Sequence, residues 1–195
     1  MTARTTTLAA LALISTAVTT AADITFRAFQ EDDLPTLFQW TQASHVAPWW
    51  WSHADTYEKF VDEFHPNAQN KECQYPFMVL VNRQPVGYIQ YYCADKLCKE
   101  CWQKYGKPGA GTVGMDLIIG KASLIKKGLG TQIVDAFVAK VFAETDATRI
   151  IADPSPANTA AIRCFAKAGF ERVEEIDAPS CVKTTGKIVL MARSR

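Results

Sequence analysis

Charge of one sign is the first thing this sequence lacks: 21 Lys and Arg stand against 20 Asp and Glu, for a formal net charge of +1 at pH 7. A nucleic-acid-binding face needs an excess of basic side chains, and this balance supplies none, so no nucleic-acid partner is expected. Long apolar runs are missing as well. The N-terminal one, Leu8 to Ile14, falls well short of the roughly 20 residues that cross a bilayer, and no membrane partner is expected. Histidine occurs only at positions 45, 53 and 65, and the pair Cys98-Lys-Glu-Cys101 has neither a second C-x-x-C nor a His pair at zinc spacing. A structural zinc site needs four ligands, so no metal is expected.

Apolar bulk is what the chain does have. Its 195 residues are 48% hydrophobic and include five Trp, enough for one well-packed domain and short for two. The first 22 residues stand apart: a single charge at Arg4, the apolar run, then small residues ending Thr20-Ala21-Ala22 before Asp23. That is the layout of a weak secretory signal or of a disordered extension. Residues 1–22 are therefore set aside as an N-terminal extension, and 23–195 are taken as the domain. Six cysteines, at 73, 93, 98, 101, 164 and 181, are an even number that would suit disulfides after export. Cys164 falls in a helical apolar pattern and reads as a core thiol.

From Asp23 onward, Ile24 to Phe29 alternates as a strand, and Glu31-Asp32-Asp33 opens a helix carrying Leu34, Leu37, Phe38 and Trp40. Pro48 rules out a regular helix through Ser44 to Trp51, a loop with three consecutive indoles. Three adjacent indoles cannot all enter one core from a loop, so at least one should line a surface cleft, unless they only anchor the loop. Thr56 to Phe64 is a second helix. Phe77–Val81 and Val86–Tyr92 form a hairpin across the polar turn Asn82 to Pro85. Tyr88, Gln90 and Tyr92 fall on one face of it, and Ile89 and Tyr91 on the other. A Lys- and Cys-rich excursion with Trp102 and Tyr105 follows, from Ala94 to Gly109.

Val113 to Ile119 is a strand with Asp116 at its middle. Burying a carboxylate without a partner costs several kcal/mol or raises its pKa. Either a bulge or a cationic partner relieves that cost, or the group has work to do on a cationic amine. The strand leads to Lys126-Lys127-Gly128-Leu129-Gly130 and an amphipathic helix beginning near Thr131. Free amides at a helix N-terminus, glycines that admit close approach and two lysines make an anion cradle. The loop has neither P-loop nor dinucleotide-fold spacing. Arg149 to Ala152 is a short buried strand that ends at Asp153. Ser155 is the expected N-cap of a further helix, with Pro156 at its first position, Asn158 in its first turn and Gly169 closing it. Val173–Ile176 and Ile188–Met191 are closing strands.

The loop at Lys126 to Gly130 resembles the pyrophosphate loop of the GCN5-related N-acetyltransferases, which bind acetyl-CoA. Asp153-Pro-Ser-Pro-Ala-Asn158, Ala161-Ile-Arg-Cys164, Lys167 to Arg172, Ser44-His45 with Trp49-Trp50, and Gly87-Tyr88 with Gln90 are similar to the aminoglycoside 6′-N-acetyltransferases. The match runs from Asp23 to Arg195. It implies an α+β fold, a mixed, mostly antiparallel V-shaped sheet flanked by helices, with acetyl-CoA in the splay between the fourth and fifth strands. It implies that Lys126, Lys127, Gly128, Leu129, Gly130 and Thr131 hold the pyrophosphate, Ile118 the pantetheine arm through its backbone, and Asn158 the arm's amide or thioester region. Asp116 is then the base for the acceptor amine and Asp153 a second anion for a polycationic aminoglycoside, with Trp49, Trp50, Phe77 and Trp102 around the acceptor.

Departures from the family pattern are local. Phe165 stands where the family has a tyrosine proposed to protonate the leaving thiolate, and Phe has no proton to give. Ile125 replaces the Arg or Gln that opens the pyrophosphate loop. Other acceptors, a siderophore hydroxylamine, polyamine or peptide amine, fit the same cofactor loop, and a non-enzymatic exported domain stapled by cysteines fits the N-terminus. The resemblance favours a cytoplasmic enzyme, monomeric or homodimeric, over an exported one, because acetyl-CoA is a cytosolic substrate.

Overall fold

The computed structural model describes residues 22–50, 54–66, 74–94, 111–178 and 186–195. The N-terminal run, Trp51, Trp102, Tyr105 and the cysteines at 73, 98, 101 and 181 lie outside the described residues. Among the described residues seven strands form one sheet: β1 Ile24–Ala28, β2 Gln74–Val81, β3 Gln84–Cys93, β4 Thr112–Ile119, β5 Arg149–Ala152, β6 Glu171–Asp177 and β7 Lys187–Ser194. Their order is β1-β2-β3-β4-β5-β7-β6. Only β4 and β5 run parallel; every other neighbouring pair is antiparallel. Among the described residues the helices are α1 Leu34–Thr41, α2 Tyr57–Phe64, α3 Leu129–Glu144 and α4 Thr159–Lys167. This is the α+β, mostly antiparallel arrangement that the resemblance implied.

Strand alternation sorts the side chains onto two faces with separate cores. On one face Val79, Ile89, Val113, Met115, Ile150 and Val189 pack against Ile133, Val134, Phe137 and Val138 of α3 and Phe165 of α4. Phe137 is fully buried and meets Phe26 and Phe77 edge-on, at 5.0 and 5.5 Å between ring centroids. Burial of a ring of that size contributes about 1.5–3 kcal/mol. On the other face Met78, Tyr88 and Ile118 pack against Leu34, Leu37 and Trp40 of α1 and Phe60 and Phe64 of α2.

The parallel pairing of β4 with β5 covers only Thr112, Val113 and Gly114, opposite Arg149, Ile150 and Ile151. Beyond Gly114, β4 continues to Ile119 on the β3 side alone, while β5, paired with β7 along its whole length, ends at Ala152. The sheet therefore opens between them. Which backbone groups line the opening follows from the ladder: Gly120 N–H donates to the Val86 carbonyl at 2.9 Å, in register with the β3–β4 pairs. Alternation then turns the backbone of Ile118 and Asp116 towards β3 and that of Leu117 and Ile119 towards the opening.

The hairpin turn is tighter than the sequence suggested. Asn82 and Arg83 alone form it, both left-handed (φ 49° and 63°), while Gln84 and Pro85 already belong to β3. Two left-handed central residues give a turn whose twist matches the strands, and Asn tolerates that backbone well. Helix α3 begins at Leu129, two residues before the expected Thr131. The expected cap at Ser155 is also displaced: Pro156 and Ala157 form a turn, and Asn158 is the N-cap of α4, its Oδ1 accepting from Ala161 N–H at 3.1 Å. Gly169 does close that helix, left-handed at φ 80°, with Gly169 N–H to Ala166 and Phe170 N–H to Phe165 carbonyls. Phe165 and Phe170, 5.2 Å apart, supply the apolar contact that accompanies such a cap.

Gly87 reports how tightly β3 and β4 approach. A Cβ there would lie 2.3 Å from the Ile118 carbonyl oxygen, a backbone atom that cannot move without disturbing the ladder. Gly87→Ala is expected to lower stability by about 1–3 kcal/mol, read as a lower urea midpoint at unchanged slope; an unaltered midpoint would contradict this packing.

Candidate active site

Asp116 stands on β4 opposite Gln90 of β3. Its Oδ2 accepts a hydrogen bond from Gln90 Nε2 at 2.7 Å, and Gln90 Oε1 accepts one from the Tyr88 hydroxyl at 2.7 Å. Tyr88 is fully buried and Gln90 8% exposed. The Tyr88 ring is held edge-on between Phe29, at 5.4 Å, and Trp50, at 5.9 Å. Asp153 directly follows β5, so the opening of the sheet leaves one carboxylate on each arm. Burial, and after it the charge of Asp153, push the Asp116 carboxyl up to about 7, against the opposing pull of the Gln90 hydrogen bond, which favours the ionised form.

The loop below the opening has the features of an anion cradle. Lys126 is left-handed (φ 60°), and Gly128, the N-cap of α3, is left-handed at φ 81° with nothing within 4 Å of where a Cβ would point. Backbone conformation selects glycine there, and the space above it is open. Lys126 and Lys127 are exposed, and the first turn of α3 carries no acidic residue to compete for its amides. The Leu129 side chain enters the core, leaving its amide as the group at the loop. Gly130 lets α3 approach its neighbours: a Cβ would sit 3.1 Å from Cys164 Sγ and 3.2 Å from Ile119 Cδ1. Thr131 Oγ1 donates to Cys164 Sγ at 3.9 Å, so the helix start is tied to α4. Cys164 is partly buried against the larger core, in keeping with its reading as a core thiol.

Other expected residues fall into three groups. Trp50 packs against Tyr88 and Phe64, whereas Trp49 is 46% exposed. Asn158 spends its Oδ1 on capping α4, which leaves its Nδ2 as the group able to meet a ligand. Trp102 lies outside the described residues.

Two expectations change. Phe77 pairs with Ile89 and packs against Tyr91 and Phe137, with Lys140 Nζ 5.3 Å from its ring centre. It is therefore on the α3 face, across the sheet from Asp116, because strand parity decides which face a side chain reaches. Ile118 presents its side chain to the second core and its backbone to β3. The backbone edge along the opening belongs to Leu117 and Ile119 instead.

Sequence reasoning assigned no part to Gln90, Tyr88 or His45. His45 Nε2–H donates to the Ile119 carbonyl at 3.0 Å, fastening the indole-bearing loop to the open edge of β4. The signal for Gln90 was available: it is a polar residue at a buried strand position, in register with the acid of the neighbouring strand.

A family model described as an acetyltransferase (GNAT) domain matches residues 30–178. The chain is 35% identical over 178 residues to an aminoglycoside N(6′)-acetyltransferase type 1 from Klebsiella pneumoniae, covering 88% of this chain and 83% of that protein. It is 40% identical over 94 residues to a kanamycin resistance protein from Rhizobium radiobacter, covering 48% and 81% respectively. Its fold is similar to the solved structure of AAC(6′)-Ib in complex with paromomycin and acetyl-CoA, with a TM-score of 0.79 and 34% identity over 88% of this chain and 93% of that one.

A raised Asp116 pKa makes a signed prediction about stability. The folded state holds this proton more tightly than the unfolded chain, so the contribution is complete below the unfolded value near 4 and is lost as pH rises through about 7. Asp116→Asn, which keeps the shape, is expected to match the parent at pH 4 and to exceed it at pH 8 by on the order of 1–4 kcal/mol. Denaturant melts at the two pH values check this; a variant less stable than the parent at pH 8 would refute it.

Proposed function

The chain belongs to the acetyltransferase (GNAT) family, and on that premise we propose that it transfers the acetyl group of acetyl-CoA to the 6′-amine of aminoglycoside antibiotics, an activity that confers resistance. What supports this reading is the pair of interacting carboxylates, Asp116 on β4 and Asp153 just after β5, where the two strands part, in a chain that also carries the Lys126–Thr131 cradle. A polycationic sugar needs anions to hold it and a neutral amine to react. The opening supplies both requirements at one place.

Bound acetyl-CoA supplies an activated thioester. Around it, the amides of Leu129, Gly130 and Thr131, with Gly128 beneath and Lys126 and Lys127 at the rim, meet the pyrophosphate charge. The backbone groups of Leu117 and Ile119 along the open edge of β4 meet the amide-rich pantetheine arm, and the Asn158 Nδ2 meets its far end. Asp116, titrating near neutrality, takes the proton that the acceptor amine must lose before it can attack. Asp153 holds a second ammonium of the acceptor, and Trp49 and Trp50 form walls. Phe165 sits buried under the helix cap and offers no acid, so the thiolate leaves without help from α4. Holding amine and thioester together lowers the barrier without further chemistry from the protein.

The cytosolic supply of acetyl-CoA supports a cytoplasmic enzyme, acting as a monomer or a homodimer. Among the described residues no helix is long and apolar enough to cross a membrane.

With kanamycin or tobramycin as acceptor, the protein is expected to release CoA and to protect a susceptible bacterium. Asp116→Asn is expected to lower kcat/KM by about 10²–10⁴-fold. Turnover unchanged in that variant removes Asp116 as the base. Release of CoA only with polyamines or hydroxylamines moves the reading to another acceptor.

A further inference from the structure

The carboxylate of Asp116 has two oxygens, and the structure uses them unequally. Oδ2 takes the Gln90 amide hydrogen bond, while Oδ1 has no partner among the described residues. Gln90 is in turn fixed by the Tyr88 hydroxyl, and Tyr88 is fixed by the edge-on rings of Phe29 and Trp50. None of these groups is free to wander: Tyr88 and Gln90 are both buried.

A carboxamide can sit in either of two orientations that exchange its oxygen and its NH₂. In one, Nε2 donates to Asp116; in the other, Oε1 faces the carboxylate, oxygen against oxygen. The structure has the first, which an ionised carboxylate requires, and the Tyr88 hydroxyl donating to Oε1 completes it. From this geometry we propose that Tyr88 and Gln90 are positioning residues for the transfer reaction, a two-step hydrogen-bonded relay that fixes the direction in which Asp116 presents its free oxygen to the acceptor amine. The proposal rests on the transferase reading above and adds to it the device that aims the base.

Two further features make the relay more than a buried-polar repair. Its members alternate along a single strand, so Tyr88 and Gln90 share a face and reach Asp116 at a register position, with no loop intervening. Its far end touches Trp50, in the loop that His45 fastens to Ile119, so the aim of the carboxylate is tied to the wall of the opening. Among the described residues the charged group facing Asp116 is Asp153, from the end of β5; from β3 it meets the uncharged Gln90. Loss of the relay therefore leaves Asp153 and burial unopposed, and both act to keep the proton on.

The test uses the full chain as Gln90→Leu and Tyr88→Phe variants, with two readouts. Carbon-13 NMR of the Asp116 carboxyl, titrated without ligand, is expected to show a midpoint raised on the order of one pH unit in Gln90→Leu and raised by less in Tyr88→Phe. The acidic limb of the kcat/KM profile should move by the same amounts, with KM for acetyl-CoA unchanged. Midpoints equal to the parent in both variants overturn the relay. A shift in Gln90→Leu alone overturns the Tyr88 step. Tyr88→Phe keeps the buried ring, so it decides the matter even if Gln90→Leu fails to fold. A parent protein that releases no CoA with any aminoglycoside defeats the functional reading instead, while the NMR titration still reports whether Tyr88 and Gln90 control this carboxyl.

Discussion

Everything at the site depends on the parting of two parallel strands. β4 and β5 pair over three register positions and then part: β4 runs on beside β3 to Ile119, while β5 stays with β7 and ends at Ala152. An opened sheet leaves backbone N–H and C=O groups without strand partners, which is costly unless something else satisfies them. Here a ligand arm rich in amides can do so, and His45 already serves the carbonyl of Ile119. The same divergence leaves Asp116 and Asp153 on separate arms, so one topological feature makes the cleft and the acid pair at once.

The acid pair is a local cost borne by the rest of the fold. Burial and a like charge both oppose ionisation of Asp116, and one hydrogen bond favours it. Such an arrangement persists only on a scaffold with stability to spare. That scaffold is the two larger cores, one on each face of the sheet, with fully buried Phe137 and Ile133 on one side and Leu37 and Phe60 on the other. Small adjustments at the site, such as the close approach allowed by Gly130 and the left-handed turn at Gly128, rely on those cores to hold the elements in place.

Much of the site could be read from local sequence. An acid inside an apolar strand is conspicuous because neighbouring residues define the burial it must endure. Lys126 to Gly130 before an amphipathic run is equally local. The misplacements have a common cause. The family resemblance sets Phe77 beside the acceptor, yet one step of strand parity carries it to the α3 face. It also gives the Ile118 backbone to the pantetheine arm, but the hydrogen-bond phase, set by the Gly120–Val86 bond, turns that backbone the other way. Ser155 and Asn158 are both good helix caps by type, and the turn through Pro156 and Ala157 decided between them. Parity and phase are properties of paired strands, not of one segment.

The sequence by itself determined the exclusions and the parts: no excess charge, one domain's worth of apolar residues, the strands and helices in order, the buried acid and the anion-binding loop. Those follow from side-chain type and periodicity over a few residues, which adjacent chain alone can express. Only the tertiary structure decided that β4 and β5 part after Gly114, that Asp153 then faces Asp116, and that Gln90 and Tyr88 stand behind it. Those are sums of many weak contacts between segments distant in the chain, and no single segment contains them.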